Sequence, residues 1–458
     1  MAQTQPKAMV EGNVAFQVFL FTLPIMAGNF LQQLYNTVDG IVVGQFISES
    51  ALAAVGTSAP VTVLYVALAL GLSTGSGIII AQYFGAGREK DLREAVSTSI
   101  LMLFFFGLAF SVIGYLVTAP LMKYILAVPE AELGMAVLYL RIYCVGLVFQ
   151  FVYNIIAAVL RALGDSKATL YFLLVSSITN IVLDIAFVAG LRMGVSGAAL
   201  ATVIAQAMSA IVSVIYMYKK YEVLRFNIHN MVFSKEKCML ALHMGIPTTL
   251  QQCAISGGNI ILQRLVNSFG VDFIAGYTVG TRLESYLVIP SLGFTAGLAN
   301  FTGQNIGAGR LDRVKEGERK TLLMSFSICL VLVALTLLFR VPLVSLFGVK
   351  GEALQMGISY LFLASPCFLL FSIYQAACGV LQGAGDVMWT MFFSLSSLAG
   401  RVVVAYAIAP ATGYRSLPYA MLIVWIFVTI AAQYVYRRGK WKEKAVVSLS
   451  SKNENVPK

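Results

Sequence analysis

Asn29, Gln33 and Asn36 stand four and three residues apart within LPIMAGNFLQQLYNTVDGIVVG (23–44). On a helix they share one face, with Gln32 beside it. Asp39 follows three residues beyond Asn36, on the same side. An ionisable group inside a lipid-embedded helix costs roughly 2.5–3.5 kcal/mol on insertion scales, so it faces water or a partner and marks a functional site by default. Farther along, Asn180 and Asp184 are four apart, as are Thr202 and Gln206. Two carboxylates at one depth of a low-dielectric bundle repel, which favours taking up a proton, or a Na⁺ shared with Asn and Thr oxygens. The plainer alternative makes Asp39 and Asp184 single helix-end residues close to water.

Such groups do chemistry only where helices hold them at depth. The chain has 458 residues, 59% hydrophobic and 12% charged, and its mean hydropathy is +0.82. That exceeds what the core of a soluble domain needs. The apolar runs reach about 20 residues or more, enough to cross a hydrocarbon layer about 30 Å thick. They fall near 14–44, 51–80, 95–120, 133–158, 168–190 and 195–217. After a polar connector they resume near 240–266, 273–303, 321–346, 354–379, 388–410 and 417–436. The expected fold is an all-α polytopic membrane protein with twelve transmembrane helices in two six-helix bundles.

Charge sets the orientation. The net charge of +11 resides in short loops and the tail, which is the mark of membrane topology and not of a nucleic-acid stripe. Alternate loops, counted from the N-terminus, carry 23 Lys and Arg on one side against six on the other. Both termini are therefore expected in the cytoplasm. No cleaved leader is indicated at the N-terminus. The six cysteines are scattered without a CxxC, so they read as small hydrophobes and not as disulfides or metal ligands. His229 and His243 are assigned no role.

The halves repeat. AQYFGAGR (81–88) returns as GQNIGAGR (303–310), and LRALGD (160–165) as LQGAGD (381–386). Gly71 and Gly75 return as Gly293 and Gly297, and Pro24 as Pro247, all at offsets of 221–223. The polar stripe returns as Gln252, Ser256 and Asn259. With an even number of spans in each half, the repeats insert the same way up and are pseudo-symmetric about an axis along the membrane normal. The expected organisation is an amino-terminal lobe (1–218), a cytoplasmic linker (219–238), a carboxy-terminal lobe (239–440) and a disordered cytoplasmic tail (441–458).

Two such bundles with a polar seam suit alternating access around a central site. Pro24 and Pro247 each remove a helix hydrogen bond and could act as hinges, although membrane helices tolerate proline generally. Asp39, Asp184 and Thr202 all fall in the outer half of the membrane. The second half has Leu262 and Val404 at the corresponding positions; its own acid is Glu284. That residue either contacts a cationic substrate or pairs with Arg401, since Arg282, two residues away, faces elsewhere. Arg141 is placed to snorkel. Tyr35 and Tyr139 could stack on a cation, against the plainer reading as core aromatics. There is no GxxxxGK[ST], so ATP is not the expected energy source. HExxH is also absent, and no enzyme is expected. The GAGR repeats read as tight turns and not phosphate cradles.

NTVDGIVVGQFISESALAAVG, AQYFGAGR, LRALGDSK and NIVLDIAFVAGLRMGVSGAALATVIAQ resemble the multidrug and toxic compound extrusion (MATE) transporters, a likeness running from about residue 12 to 437. The resemblance implies a V-shaped pair of six-helix lobes that export organic cations or other drugs in exchange for H⁺ or Na⁺. Carboxylates in the first and fifth helices characterise the family's DinF-like branch, and Asp39 and Asp184 match them. Asn180 and Thr202 match neighbours implicated in the same ion site. The NorM-like branch has an acid in the seventh helix, where this chain reads PTTLQQCA with Gln251 and Gln252. That difference favours the DinF-like branch.

The expectation is thus an inner-membrane, ion-coupled exporter of amphipathic, cationic compounds, with no cofactor beyond the coupling ion. Asp39, Asp184, Asn180 and Thr202 would carry H⁺ or Na⁺. Asn29, Gln32, Gln33, Tyr35, Asn36, Gln206, Gln252, Ser256, Asn259 and Glu284 would line the substrate cavity. The expected partners are small organic substrates and membrane lipid, with no nucleic acid, and the chain is expected to act as a monomer. The rival reading is a flippase for a lipid-linked pyrophosphate precursor, for which only Arg141, Arg282 and Arg401 offer cations within the spans.

Overall fold

Without water to satisfy backbone groups, an apolar run crossing lipid must close its hydrogen bonds internally, and this chain does so as helix. The computed structural model describes residues 9–46, 49–226 and 230–446; for 35–46, 49–53 and 254–260 it describes the backbone alone. The first half contains α1 (Val14–Phe46), α2 (Glu49–Gly85), α3 (Glu89–Pro120), α4 (Glu130–Ala162), α5 (Ser166–Asp184) and α6 (Gly194–Lys220). The second contains α7 (Lys235–Asn267), α8 (Val271–Gly307), α9 (Leu311–Leu338), the short α10 (Arg340–Ser345), α11 (Gly351–Ala364), α12 (Cys367–Gly383), α13 (Val387–Thr412) and α14 (Ser416–Arg438). Helices α11 and α12 meet at a bend of 41°, as in a broken span or a re-entrant loop. Counting that pair once, and α10 as an appendage of α9, leaves twelve helical segments among the described residues, within which eight stretches, or nine with the bent pair, are long and apolar enough to cross a membrane. Helices α7 and α8 are long enough to cross but are not among those stretches, because polar residues such as Thr248, Gln251, Arg282, Glu284 and Asn300 interrupt them.

Each GAGR repeat is a helix stop. Gly87 and Gly309 adopt left-handed φ of +67° and +71°, which glycine reaches without a Cβ penalty. Arg88 N then donates to Tyr83 O, and Arg310 N to Asn305 O, satisfying carbonyls that the helix end would orphan.

The chain forms two compact units whose boundary is not the polar connector. One unit is Ala27–Thr249; the other joins Met9–Met26 to the described residues from Leu250 onward. The expected linker, 219–238, therefore lies inside the first unit. The repeated glycines explain the exchange. In the first unit Gly71 and Gly75 of α2 leave no room for a Cβ, because Thr249 and Gly245 of α7 pack directly on them. In the second unit Gly293 and Gly297 of α8 receive Met26 and Thr22 of α1 in the same way. Small residues thus let backbones approach closely, as in other membrane helix pairs. In both α1 and α7 the change of unit comes two residues after the proline, Pro24 or Pro247.

Polar contacts fix the leading segments of both helices. Lys237 Nζ, at the start of α7, donates to Tyr83 Oη (2.7 Å) and to Asp91 Oδ1 (2.6 Å). Ahead of α1, Met9 N donates to Gln304 Oε1 (2.6 Å) and Asn305 Nδ2 to Met9 O (3.1 Å). Arg313 then reaches Asn305 Oδ1, Gly12 O and Gln17 Oε1. The expected tail opens on described residues: Lys440–Glu443 is a 3-10 turn in which Trp441 is buried. Residues 447–458 lie outside those described. Large apolar side chains such as Leu116 and Phe427 remain about two-thirds exposed (67% and 68%), which suits a lipid-facing surface.

Between α4 and α5, Asp165 Oδ2 accepts from Lys220 Nζ (2.7 Å), Tyr221 Oη (2.8 Å) and Tyr216 Oη (2.9 Å). Burial alone would push this carboxyl up, but the hydrogen bonds from Lys220 and Tyr221 and the Lys220 charge outweigh it and hold it below the usual carboxylate range. A depressed folded value adds stability that is fully present above the unfolded value of about 3.9 and is lost as pH falls through the folded one. Asp165→Asn should therefore lower the melting temperature at neutral pH, each lost charge-assisted bond being worth roughly 1.5–3 kcal/mol. In a pH series of thermal unfolding in detergent, the gap between native and variant should close only below about pH 4. A gap unchanged at acid pH would contradict this account.

Candidate functional site

Helix α5 carries Asn180 and Asp184 on one face, and both are almost fully buried, at 1% exposure. Asp184 is the last α-helical residue before a π-helical turn, Ile185–Gly190. Single π turns widen a helix and recur at functional sites. In the amide orientation that satisfies both of its ends, Asn180 donates to Asp184 Oδ2 at 2.6 Å and accepts from Thr202 N at 3.2 Å. Thr202, on α6, gives its own hydroxyl proton to Ala198 O (3.1 Å) and so presents lone pairs inward. Asn180, Asp184 and Thr202 are thus brought together. The group offers carboxylate, amide and hydroxyl oxygens, the ligand types of a hard cation, and a carboxyl able to take a proton. Among the described residues no cluster of three or more His, Cys, Asp or Glu could hold a metal.

The other side chains expected to join this group divide in two. Asn29 and Gln33 are half-buried on α1, whereas Gln32 is exposed. The side chains of Tyr35, Asn36, Asp39, Ser256 and Asn259 lie outside those described. Gln206 sits one turn from Thr202, and its Oε1 is buried without a hydrogen-bond partner among the described residues. Its other end meets the Tyr143 hydroxyl. Tyr143 donates to Gln150 Oε1 (3.2 Å), and Asn154 Nδ2 to Gln150 O (2.8 Å). This polar track on α4, beside Tyr139 stacked on Tyr143, escaped the sequence reading. Its signal was the spacing 139, 143, 150 and 154, which keeps one helix face.

In the second unit, Gln252 is half-buried, and its neighbour Gln251 donates to Ser394 Oγ (2.9 Å). Glu284 occupies a separate setting there. Tyr360 of α11 donates its hydroxyl to Glu284, and Arg401 of α13 contributes a nearby positive charge. No ion pair within 4.0 Å joins Glu284 to Arg401 among the described residues. Glu284 Oε1 is buried without a partner among those residues. Tyr277 packs edge-on against Tyr360 at 5.0 Å and closes the aromatic wall. If Arg401 compensates the carboxylate through space, Arg401→Ala and Glu284→Gln should each lower thermal stability, and the double variant should lose less than their sum. The coupling expected from detergent melting curves is about 0.5–3 kcal/mol; strictly additive losses would show the two groups to be independent.

Comparison with known proteins agrees with these features. The family model MatE matches residues 24–186 and 247–407, one match per half at the offset of the internal repeat. The chain is 29% identical to the probable multidrug resistance protein YoeA of Bacillus subtilis (strain 168), over 94% of this chain and 95% of that one. It is also 29% identical to the probable multidrug resistance protein YpnP of the same organism, over 94% and 97%. A solved outward-facing MATE family transporter shares the fold, with a TM-score of 0.90 at 23% identity over 97% of this chain and 99% of that one. Since the family model covers most of the chain and repeats with its halves, the protein belongs to the MatE family, the multidrug and toxic compound extrusion transporters.

Proposed function

We propose that this protein exports amphipathic, cationic organic compounds by alternating access, in exchange for H⁺ or Na⁺. The observation that carries the reading is Asp184, a carboxylate at 1% exposure that accepts from Asn180 at 2.6 Å. Keeping a buried carboxylate ionised is costly, so binding a cation or proton there recovers free energy that a competing cationic substrate can draw on. Asp39 is the second carboxylate of the site, and Asn180 and Thr202 complete its oxygen set. In the first unit Asn29, Gln32, Gln33, Tyr35, Asn36 and Gln206 contact substrate, and in the second unit Gln252, Ser256 and Asn259 do. Glu284 contributes to the second group through the Tyr360 cluster.

Pro24 and Pro247 are the hinges, supported by the change of unit two residues beyond each. The acids at 39 and 184, with Gln251 and Gln252 in the seventh helix, favour the DinF-like branch. Both termini face the cytoplasm, on the side rich in Lys and Arg. The relatives named for multidrug resistance support the substrate class.

The test is substrate-driven ion exchange in proteoliposomes under pH and Na⁺ gradients imposed separately. Asp184→Asn and Asp39→Asn should each abolish exchange while the protein still reconstitutes. Exchange at the native rate in either variant would defeat the assignment of that carboxylate.

A further inference from the structure

The N-terminal part of α9, as far as Phe326, carries a groove that the described chain leaves open. Lys315, Arg319 and Lys320 give it a charged rim, and Leu323, Phe326 and Ile373 supply its apolar lining, in a cavity of about 820 Å³. The spacing 315, 319, 323 and 326 keeps these residues on one helix face, cations first and apolar side chains deeper. All three cations are exposed, and none takes part in the four ion pairs found among the described residues. Glu316, also on the rim, sets one negative charge against three positive.

The other half of the molecule supplies an internal comparison. At the repeat offset of 222, Lys315, Arg319 and Lys320 correspond to Arg93, Ser97 and Thr98 of α3. There the protein's own connector covers the face. Val232 N donates to Ser97 Oγ and Ser234 N to Thr98 Oγ1, both at 2.9 Å, and Arg93 lies over the Phe226 ring at 5.6 Å. Ser97 and Thr98 are consequently buried, at 1% and 0% exposure. In α9 the same two positions hold Arg319 and Lys320, which offer no acceptor to a backbone and present charge instead.

We propose that this groove binds an anionic phospholipid of the leaflet on the Lys/Arg-rich side. The guanidinium of Arg319 matches a phosphate with two parallel N–H donors, and Lys315 and Lys320 neutralise the remaining headgroup charge. One acyl chain lies along Leu323, Phe326 and Ile373, where hydrocarbon begins. A basic pocket between membrane helices at this level has the chemistry that selects acidic headgroups over zwitterionic ones. The site is distinct from the carboxylates of α1 and α5 and would hold lipid whether or not they carry the coupling ion.

The test uses the full chain in nanodiscs of phosphatidylcholine doped with phosphatidylglycerol, with retained lipid read by native mass spectrometry. The native protein should keep phosphatidylglycerol in preference to phosphatidylcholine. Lys315→Ala/Arg319→Ala/Lys320→Ala should reduce that retention on the order of tenfold or more. The milder Arg319→Gln/Lys320→Gln should move it in the same direction. Lys90→Ala/Lys219→Ala/Lys235→Ala removes equal charge from other exposed cations and should leave retention unchanged, as should truncation after Val446. Four results would overturn the proposal. They are native retention in both groove variants, equal loss in the charge-matched control, phosphatidylglycerol appearing only after truncation (the tail as occupant), or displacement by inorganic phosphate.

Discussion

A carboxylate at 1% exposure inside a lipid-embedded bundle needs compensation, and the hydrogen bond that Asn180 donates to Asp184 contributes to it. The two residues lie one turn apart on α5, the helix widens immediately after Asp184, and α6 brings Thr202 to the other end of the amide. An apolar substitute at 184 would be cheaper to fold. The retention of an acid in that place is what makes an ion-binding role the natural reading.

The second constraint is close approach of backbones. Gly71 and Gly75 admit the first part of α7, while Gly293 and Gly297 admit the first part of α1. Each half thereby receives the leading helix segment of the other. Pro24 and Pro247 each leave their helix one backbone hydrogen bond short, two residues before the change of unit. Polar contacts from Lys237 in one unit and from Arg313 in the other hold the segments that precede the prolines.

The helices themselves were legible, because runs of apolar residues long enough to cross lipid leave the backbone no alternative. The internal repeat was legible as well, since GAGR is a helix stop needing a left-handed glycine at a fixed place. Partners across long sequence distances were not. A glycine pair signals close packing without naming the helix that packs, so the exchange of Met9–Met26 and of the first part of α7 had no sequence signature. Glu284 offered Arg401 as an obvious mate by charge, yet Tyr360, an aromatic among many, donates the hydrogen bond. The α4 track through Tyr143, Gln150 and Asn154 was hidden because no residue in it is charged. Lys315, Arg319 and Lys320 were counted only as markers of orientation; their groove depends on Ile373, from another helix.

The central claim is that Asp184 exchanges its bound proton or cation when cargo arrives. Infrared difference spectroscopy of the reconstituted protein, with and without a cationic dye, reads that event at the carboxyl itself. The account predicts a dye-induced change in a carboxyl band that is present in the native protein and missing in Asp184→Asn. Identical difference spectra from the two proteins would contradict it.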